Sequence, residues 1–82
     1  MSTSTPTPRE QAVKLFPDLV IFKEKELIAN RFTGEEIELE PEAVAVYDLC
    51  MGAEQFGMWK IVRKCLDWFK KYYPKEYLVL LD

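Results

Sequence analysis

The sequence predicts a small α+β domain: a short antiparallel β-meander or hairpin packed on an antiparallel helical hairpin, with a short C-terminal helix. Three observations carry that reading. From Met58 to Tyr73, at about 100° per residue, Met58, Trp59, Ile61, Val62, Cys65, Leu66, Trp68, Phe69, Tyr72 and Tyr73 fill one half of a helical wheel. Lys60, Arg63, Lys64, Asp67, Lys70 and Lys71 fill the other half. An apolar face that wide is more than a surface helix needs, so this segment is expected to touch several neighbours. The preceding run, Pro41 to Phe56, is apolar around most of its circumference and belongs at the centre, covered on two sides. Finally, Leu27 to Leu39 alternates apolar and polar residues on either side of Thr33-Gly34, which is a hairpin pattern.

Residues 1–8 are Ser, Thr and Pro after Met1, offer nothing to bury, and read as a disordered tail; residues 9–82 then form one small α+β domain. Arg9 to Phe16 fits a short helix stopped by Pro17. Leu19-Val20-Ile21-Phe22 is β-prone and precedes a charged turn, Lys23-Glu24-Lys25-Glu26, which suggests a first strand and the order (α)βββααα. In the hairpin, Ile28, Phe32, Ile37 and Leu39 are expected inward, with Glu36, Glu38 and Glu40 outward. Gly34 supplies the positive φ of a tight turn. Pro41 suits a first helical position, and Glu42 suits the positive end of the helix dipole. Gly57 ends that helix, and Pro74 ends the next. Pro74 to Leu81 fits either a strand or a third, short helix, and Pro at its start with Glu76 two residues later favours the helix. Its apolar ending is expected to dock beside the hairpin and helices, either in its own chain or in a second copy. The core is expected to hold Phe32, Ile37, Leu39, Val46, Leu49, Cys50, Val62, Cys65, Leu66 and Phe69.

Composition narrows the function classes. The chain has 82 residues, 49% of them hydrophobic and 13% aromatic, which suits one packed domain near the lower size limit. A net charge of −3 points by itself to neither nucleic acid nor membrane. The opening residues lack a basic start and an apolar run, so no signal peptide is expected. The longest apolar run, Tyr77 to Leu81, is too short for a bilayer. The expected setting is therefore cytoplasmic, without a membrane partner. Cys50 and Cys65 lie in separate helical segments and read as two buried thiols, bridgeable if those helices are antiparallel neighbours.

Catalytic chemistry has little to work with. There is no histidine, so neither a Ser–His–acid triad nor a Cys–His dyad can be built within one chain. Zinc would find only two thiolates and carboxylates. Gly34, Gly52 and Gly57 are scattered, so no phosphate-cradling loop exists. Paired carboxylates among Glu35, Glu36, Glu38, Glu40 and Glu42 remain, but alternate acids on a strand usually form a solubilising face. No enzyme activity and no cofactor are expected.

Binding is the alternative to chemistry. Between Glu35 and Glu54 stand seven acids and no base, and between Lys60 and Lys75 six bases and one acid. Antiparallel helices would bring these charges near one another, with weak mutual pairing. Seven of the eleven aromatics lie in the last third of the chain. Trp59, Trp68, Tyr72 and Tyr77 are the candidate protein-binding residues, because Trp and Tyr anchor interfaces and the two tryptophans mark the edges of the helix's apolar half. The partner is not identified by this pattern, and a homodimer is one form it allows. The alternative is a nucleic-acid-binding accessory protein using the basic face of 58–73, through Lys60, Arg63, Lys64 and Lys71. Net acidity and scarce arginine weigh against it, and so do aromatics lying off the basic face. The opposite possibility is an acidic nucleic-acid mimic using Glu36, Glu38 and Glu40.

The segments Asn30-Arg31-Phe32-Thr33-Gly34-Glu35-Glu36, Tyr47-Asp48, Gly52-Ala53-Glu54, Leu66-Asp67-Trp68-Phe69, and Tyr73-Pro74-Lys75-Glu76-Tyr77 through Leu80-Leu81-Asp82 resemble short accessory proteins of unknown function encoded by tailed bacteriophages. The likeness spans roughly residues 27–82 and carries no catalytic or binding motif. It implies a protein made in an infected bacterial cytoplasm, where small accessory proteins bind host or phage proteins.

Overall fold

The computed structural model describes residues 6–81. Four helices and a two-stranded sheet follow one another as α1 (Pro8–Leu15), β1 (Glu26–Ala29), β2 (Glu36–Leu39), α2 (Pro41–Gln55), α3 (Trp59–Tyr72) and α4 (Pro74–Leu80). This is the expected small α+β domain, with a hairpin against an antiparallel helical pair and a short C-terminal helix. Of the expected tail, residues 1–5 lie outside the described residues. Thr7 and Pro8 belong to α1 instead: the Thr7 hydroxyl accepts from the Glu10 N–H at 3.1 Å, and Glu10 Oε1 accepts from the Thr7 N–H at 2.8 Å. Pro8 occupies the first helical position. A threonine, a proline and a glutamate so spaced form a capping box, a signal stronger than the tail's composition.

The sheet departs from the expected three strands. β1 and β2 pair antiparallel in the register Glu26↔Leu39, Leu27↔Glu38, Ile28↔Ile37 and Ala29↔Glu36. Among the described residues, 19–22 pairs with no strand. Phe16 is buried, and the Leu19 N–H donates to its carbonyl at 2.9 Å, which turns the chain across α2 and away from β1. Leu19 packs against the core while Val20 and Phe22 face out. A β-prone run alternates here without a ladder, because propensity records fit to a half-buried surface rather than pairing.

Phe32 is the second correction, being 86% exposed at the tip of the hairpin. The strand stops at Ala29 because Asn30 organises the loop. Its side-chain oxygen accepts from the N–H groups of Phe32 (2.7 Å) and Thr33 (3.0 Å), and its carbonyl accepts from Gly34 (2.9 Å). Gly34 has φ 78°, as the tight turn requires. The other expected core residues are inside: Leu39, Val46, Cys50, Val62, Cys65 and Phe69 are buried, and Ile37, Leu49 and Leu66 are half-buried. Ile28, Ile37 and Leu39 share the inner face, with Glu36 and Glu38 outward.

α2 is the central element. Ala43, Val44, Ala45, Val46, Tyr47, Cys50 and Ala53 are all buried, and it touches α1, α3 and β2. The α2–α3 reversal is a Schellman closure. Met58 N–H donates to the Ala53 carbonyl at 2.8 Å, Gly57 N–H donates to Glu54 at 3.2 Å, and Gly57 has φ 68°. α3 presents Val62, Cys65, Trp68 and Phe69 inward and touches α1, α2 and α4. The expected acid–base pairing between these two helices does not form. Among the described residues the ion pairs are Lys25–Glu40 (3.3 Å) and Arg31–Glu54 (2.7 Å), and neither joins α2 to α3. The bases of α3 lie on its outer face, turned to water.

α4 docks in its own chain, on α3 and β2, with Leu80 buried. Two long-range clasps fix it. Asn30 Nδ2 donates to the Val79 carbonyl at 2.7 Å, and the Tyr73 hydroxyl at the α3–α4 junction donates to Glu42 in the first turn of α2. Burial, together with that hydrogen bond and the Glu42 charge, holds the Tyr73 phenol well above its ordinary value.

Asn30→Ala removes three side-chain hydrogen bonds and leaves the Val79 carbonyl without its donor, so a urea melt is expected to show a loss of about 2–4 kcal/mol. Asn30→Asp keeps the turn acceptor but sets a carboxylate against that carbonyl, and is expected to be no better. For Tyr73, the folded phenol ionises at higher pH than the unfolded one, whose value is near about 10. The folded state therefore holds the proton more tightly, and its contribution is complete below about pH 10 and lost as pH rises through the folded value. Tyr73→Phe is expected to lower stability at neutral pH and to flatten its decline above about pH 10. Tyr47, also raised chiefly by burial, adds slope of the same sign.

Candidate functional site

An apolar cleft of about 590 Å³ opens where the 16–24 segment crosses the helices. That volume lies within the range of small-ligand and side-chain pockets. Its floor is one stripe of α2: Pro41, Val44, Ala45, Asp48 and Leu49 line it, at the i, i+3, i+4, i+7, i+8 spacing of a single helical face. Ile61 and Lys64, three apart on α3, complete the floor. Phe16 and Leu19 form the wall, held by the turn between them. Val20 and Phe22 stand at the lip, and Phe22 is 74% exposed.

The mouth is acidic. Asp18, Glu24 and Glu26 come from the crossing segment and the start of β1, and Asp48 comes from α2; Lys64 is the single base among the lining residues. All five are exposed, and among the described residues none has an ion-pair partner. The neighbouring Lys25 is drawn away to Glu40 at 3.3 Å. The arrangement offers apolar contact surrounded by carboxylate acceptors, a binding chemistry.

The aromatic candidates from the sequence do not assemble into one surface. Trp68 is 2% exposed, with its indole N–H donating to the Pro8 carbonyl at 3.0 Å, so it belongs to the docking of α1 and presents nothing outward. Its ring lies 5.1 Å from Phe69, 5.8 Å from Tyr72 and 5.4 Å from Tyr73, centroid to centroid. A position at the edge of the apolar half was covered because α1 lies along that edge. Tyr72 is half-buried with the Lys71 ammonium 5.3 Å from its ring centroid, and Tyr77 is half-buried with Lys70 at 5.4 Å. Trp59 is exposed, nine positions from Trp68, or about 13 Å along the helix axis.

The basic candidates Lys60, Arg63, Lys64 and Lys71 are all exposed on α3. Trp59 shares a shallow hollow with Lys60, Arg63 and Lys64, so one aromatic does adjoin the basic face. Glu36 and Glu38 are exposed on the outer face of β2, whereas Glu40 leaves that row to precede α2 and to meet Lys25. Cys50 and Cys65 are free and buried, and face one another between α2 and α3. Contact with the Cys50 sulfur and burial push the Cys65 thiol up, so it stays protonated.

Sequence reasoning missed the cleft itself, and with it Val20, Phe22 and Asp18. The available signal was Pro17-Asp18, a turn pair that redirects the chain just before an apolar run. Among the described residues no helix is long and apolar enough to cross a membrane. No protein-family description, curated protein or solved structure matches the chain.

The two tryptophans give a direct check on this geometry. Trp59→Phe leaves only Trp68, and is expected to yield blue-shifted fluorescence that acrylamide quenches poorly. Trp68→Phe leaves only Trp59, and is expected to yield red-shifted, readily quenched fluorescence and a loss of about 1–3 kcal/mol from the lost indole contact with Pro8.

Proposed function

We propose that this is a non-enzymatic protein-binding accessory module, phage-encoded and acting in the bacterial cytoplasm, that receives an apolar element of a host or phage protein in the cleft beneath Val20 and Phe22. The observation that carries the reading is the pairing of a formed apolar cleft with two large side chains left outside at its lip. A domain this small has few large apolar groups to spare, and exposed apolar residues flanking a concavity are the usual mark of an interaction surface. The phage setting rests on the resemblance of residues 27–82 and on nothing else.

A second reading draws on a different surface. Trp59 beside Lys60 and Arg63 joins a stacking surface to phosphate-neutralising charge, a combination suited to single-stranded nucleic acid. It predicts retention on a DNA resin that falls steeply with salt and is abolished by Trp59→Ala.

The first reading is tested by affinity capture from bacterial lysate with the wild-type chain and with Val20→Ser/Phe22→Ser, followed by mass spectrometry. Because both side chains are exposed, the double variant is expected to melt within about 1 kcal/mol of wild type. A partner retained by wild type and lost by the variant is the expected result. Recovery of no partner, together with a monomer by light scattering, overturns the reading.

A further inference from the structure

The charge around the cleft specifies the partner's chemistry further, on the condition that the cleft is the binding surface. Four carboxylates, Asp18, Glu24, Glu26 and Asp48, surround the apolar opening against one ammonium, Lys64. They come from three separate stretches of chain and converge on one mouth. Among the described residues no ion pair neutralises any of them, although Lys23 and Lys25 share a neighbouring surface hollow with Glu24 and Glu26. Lys25 instead reaches Glu40, outside the cleft lining. An apolar anchor that enters here must pass or remain beside these carboxylates. An acidic flank on that anchor would meet like charge, and a basic flank would find unoccupied acceptors.

We infer that the cleft takes a basic amphipathic protein segment, one that seats aliphatic or aromatic side chains on Val44, Leu49 and Ile61 and sets lysine or arginine against the carboxylate rim. Such segments read as an apolar stripe bordered by bases, and their recognition combines groove burial with charge selection. Phe32, Phe56 and Trp59 are exposed near the hairpin and α2–α3 turns, and the hollow that Trp59 lines is bordered by Lys60, Arg63, Lys64 and Asp67 rather than by the two phenylalanines. The buried Cys50–Cys65 pair is closed to partners.

The test uses the full chain and two synthetic peptides of the same length and apolar pattern, one of leucine and lysine, the other of leucine and glutamate. Binding is followed by fluorescence anisotropy of labelled peptide. Two charge variants of equal net change separate the rim from general acidity: Glu24→Lys/Glu26→Lys at the cleft, and Glu36→Lys/Glu38→Lys on the outer face of β2. The leucine–lysine peptide is expected to bind, to weaken with added salt, and to weaken about tenfold or more with the rim variant but little with the β2 variant. Val20→Ser/Phe22→Ser is also expected to weaken it, and the leucine–glutamate peptide to show no binding. Equal binding of both peptides, or equal loss with both charge variants, overturns the inference, as does a self-associated chain that the peptide cannot dissociate. If neither peptide binds while lysate capture still yields a partner dependent on Val20 and Phe22, the charge assignment falls and the cleft reading stands. If the leucine–lysine peptide binds without dependence on Val20 and Phe22, the cleft itself is excluded.

Discussion

The hairpin exists as part of this fold because one buried carboxamide ties it down. A two-stranded antiparallel sheet is marginal by itself, and here its outer face, with Glu36, Glu38 and Leu27, is open to water. Its inner face contributes Leu39 fully and Ile28 and Ile37 in part. Asn30 closes the gap. One side of its amide organises the loop through Phe32 and Thr33, and the other side reaches forty-nine residues forward to Val79. A buried amide with both ends satisfied adds little net energy per bond but makes alternative placements expensive. The hairpin and α4 consequently hold one another, and removing either leaves the other without its partner.

α2 imposes the second constraint. Its small residues Ala43, Ala45 and Ala53 let α1, α3 and β2 approach, and its apolar circumference requires all of them. α3 then distributes its wide apolar face among α1, α2 and α4. The same geometry brings Cys50 to Cys65 and seals both from solvent. It also explains the free charges. Once the facing surfaces of α2 and α3 are apolar, most of their charged side chains turn to water, and even Asp48 and Lys64, which line one cleft, form no ion pair among the described residues.

The helices were legible because their signals are local: a 3.6-residue pattern, prolines at 41 and 74, and glycine at 57 with positive φ. The hairpin was legible for the same reason, down to Gly34. Phe32 was misplaced because alternation alone does not show where a strand stops. That end is set by Asn30, whose partner at Val79 is invisible to any local window. Trp68 was misread by a related limit: an edge position on a helical wheel is covered or bare depending on a third element, here α1. The cleft was harder to read: Pro17-Asp18 marks a turn, but a β-prone run and a charged turn describe a strand equally well until the fold denies that run a pairing edge.

That denial links fold to site. Phe16, buried at the end of α1, and Leu19, turned back on its carbonyl, commit the following residues to cross α2. A strand pairing there with β1 would have covered β1's free edge and used the acids beside it as an ordinary hairpin turn. Crossing α2 instead leaves Val20 and Phe22 outside, opens the cleft beneath them, and gathers Asp18, Glu24 and Glu26 opposite Asp48. Burying a side chain such as Phe22 stabilises a fold by about 1.5–3 kcal/mol, a large fraction of what a domain this size has to hold it together. The arrangement forgoes that gain in the irregular stretch between α1 and β1. Local sequence and global packing disagree at this segment, and the disagreement leaves exposed apolar side chains beside a concave, charged surface.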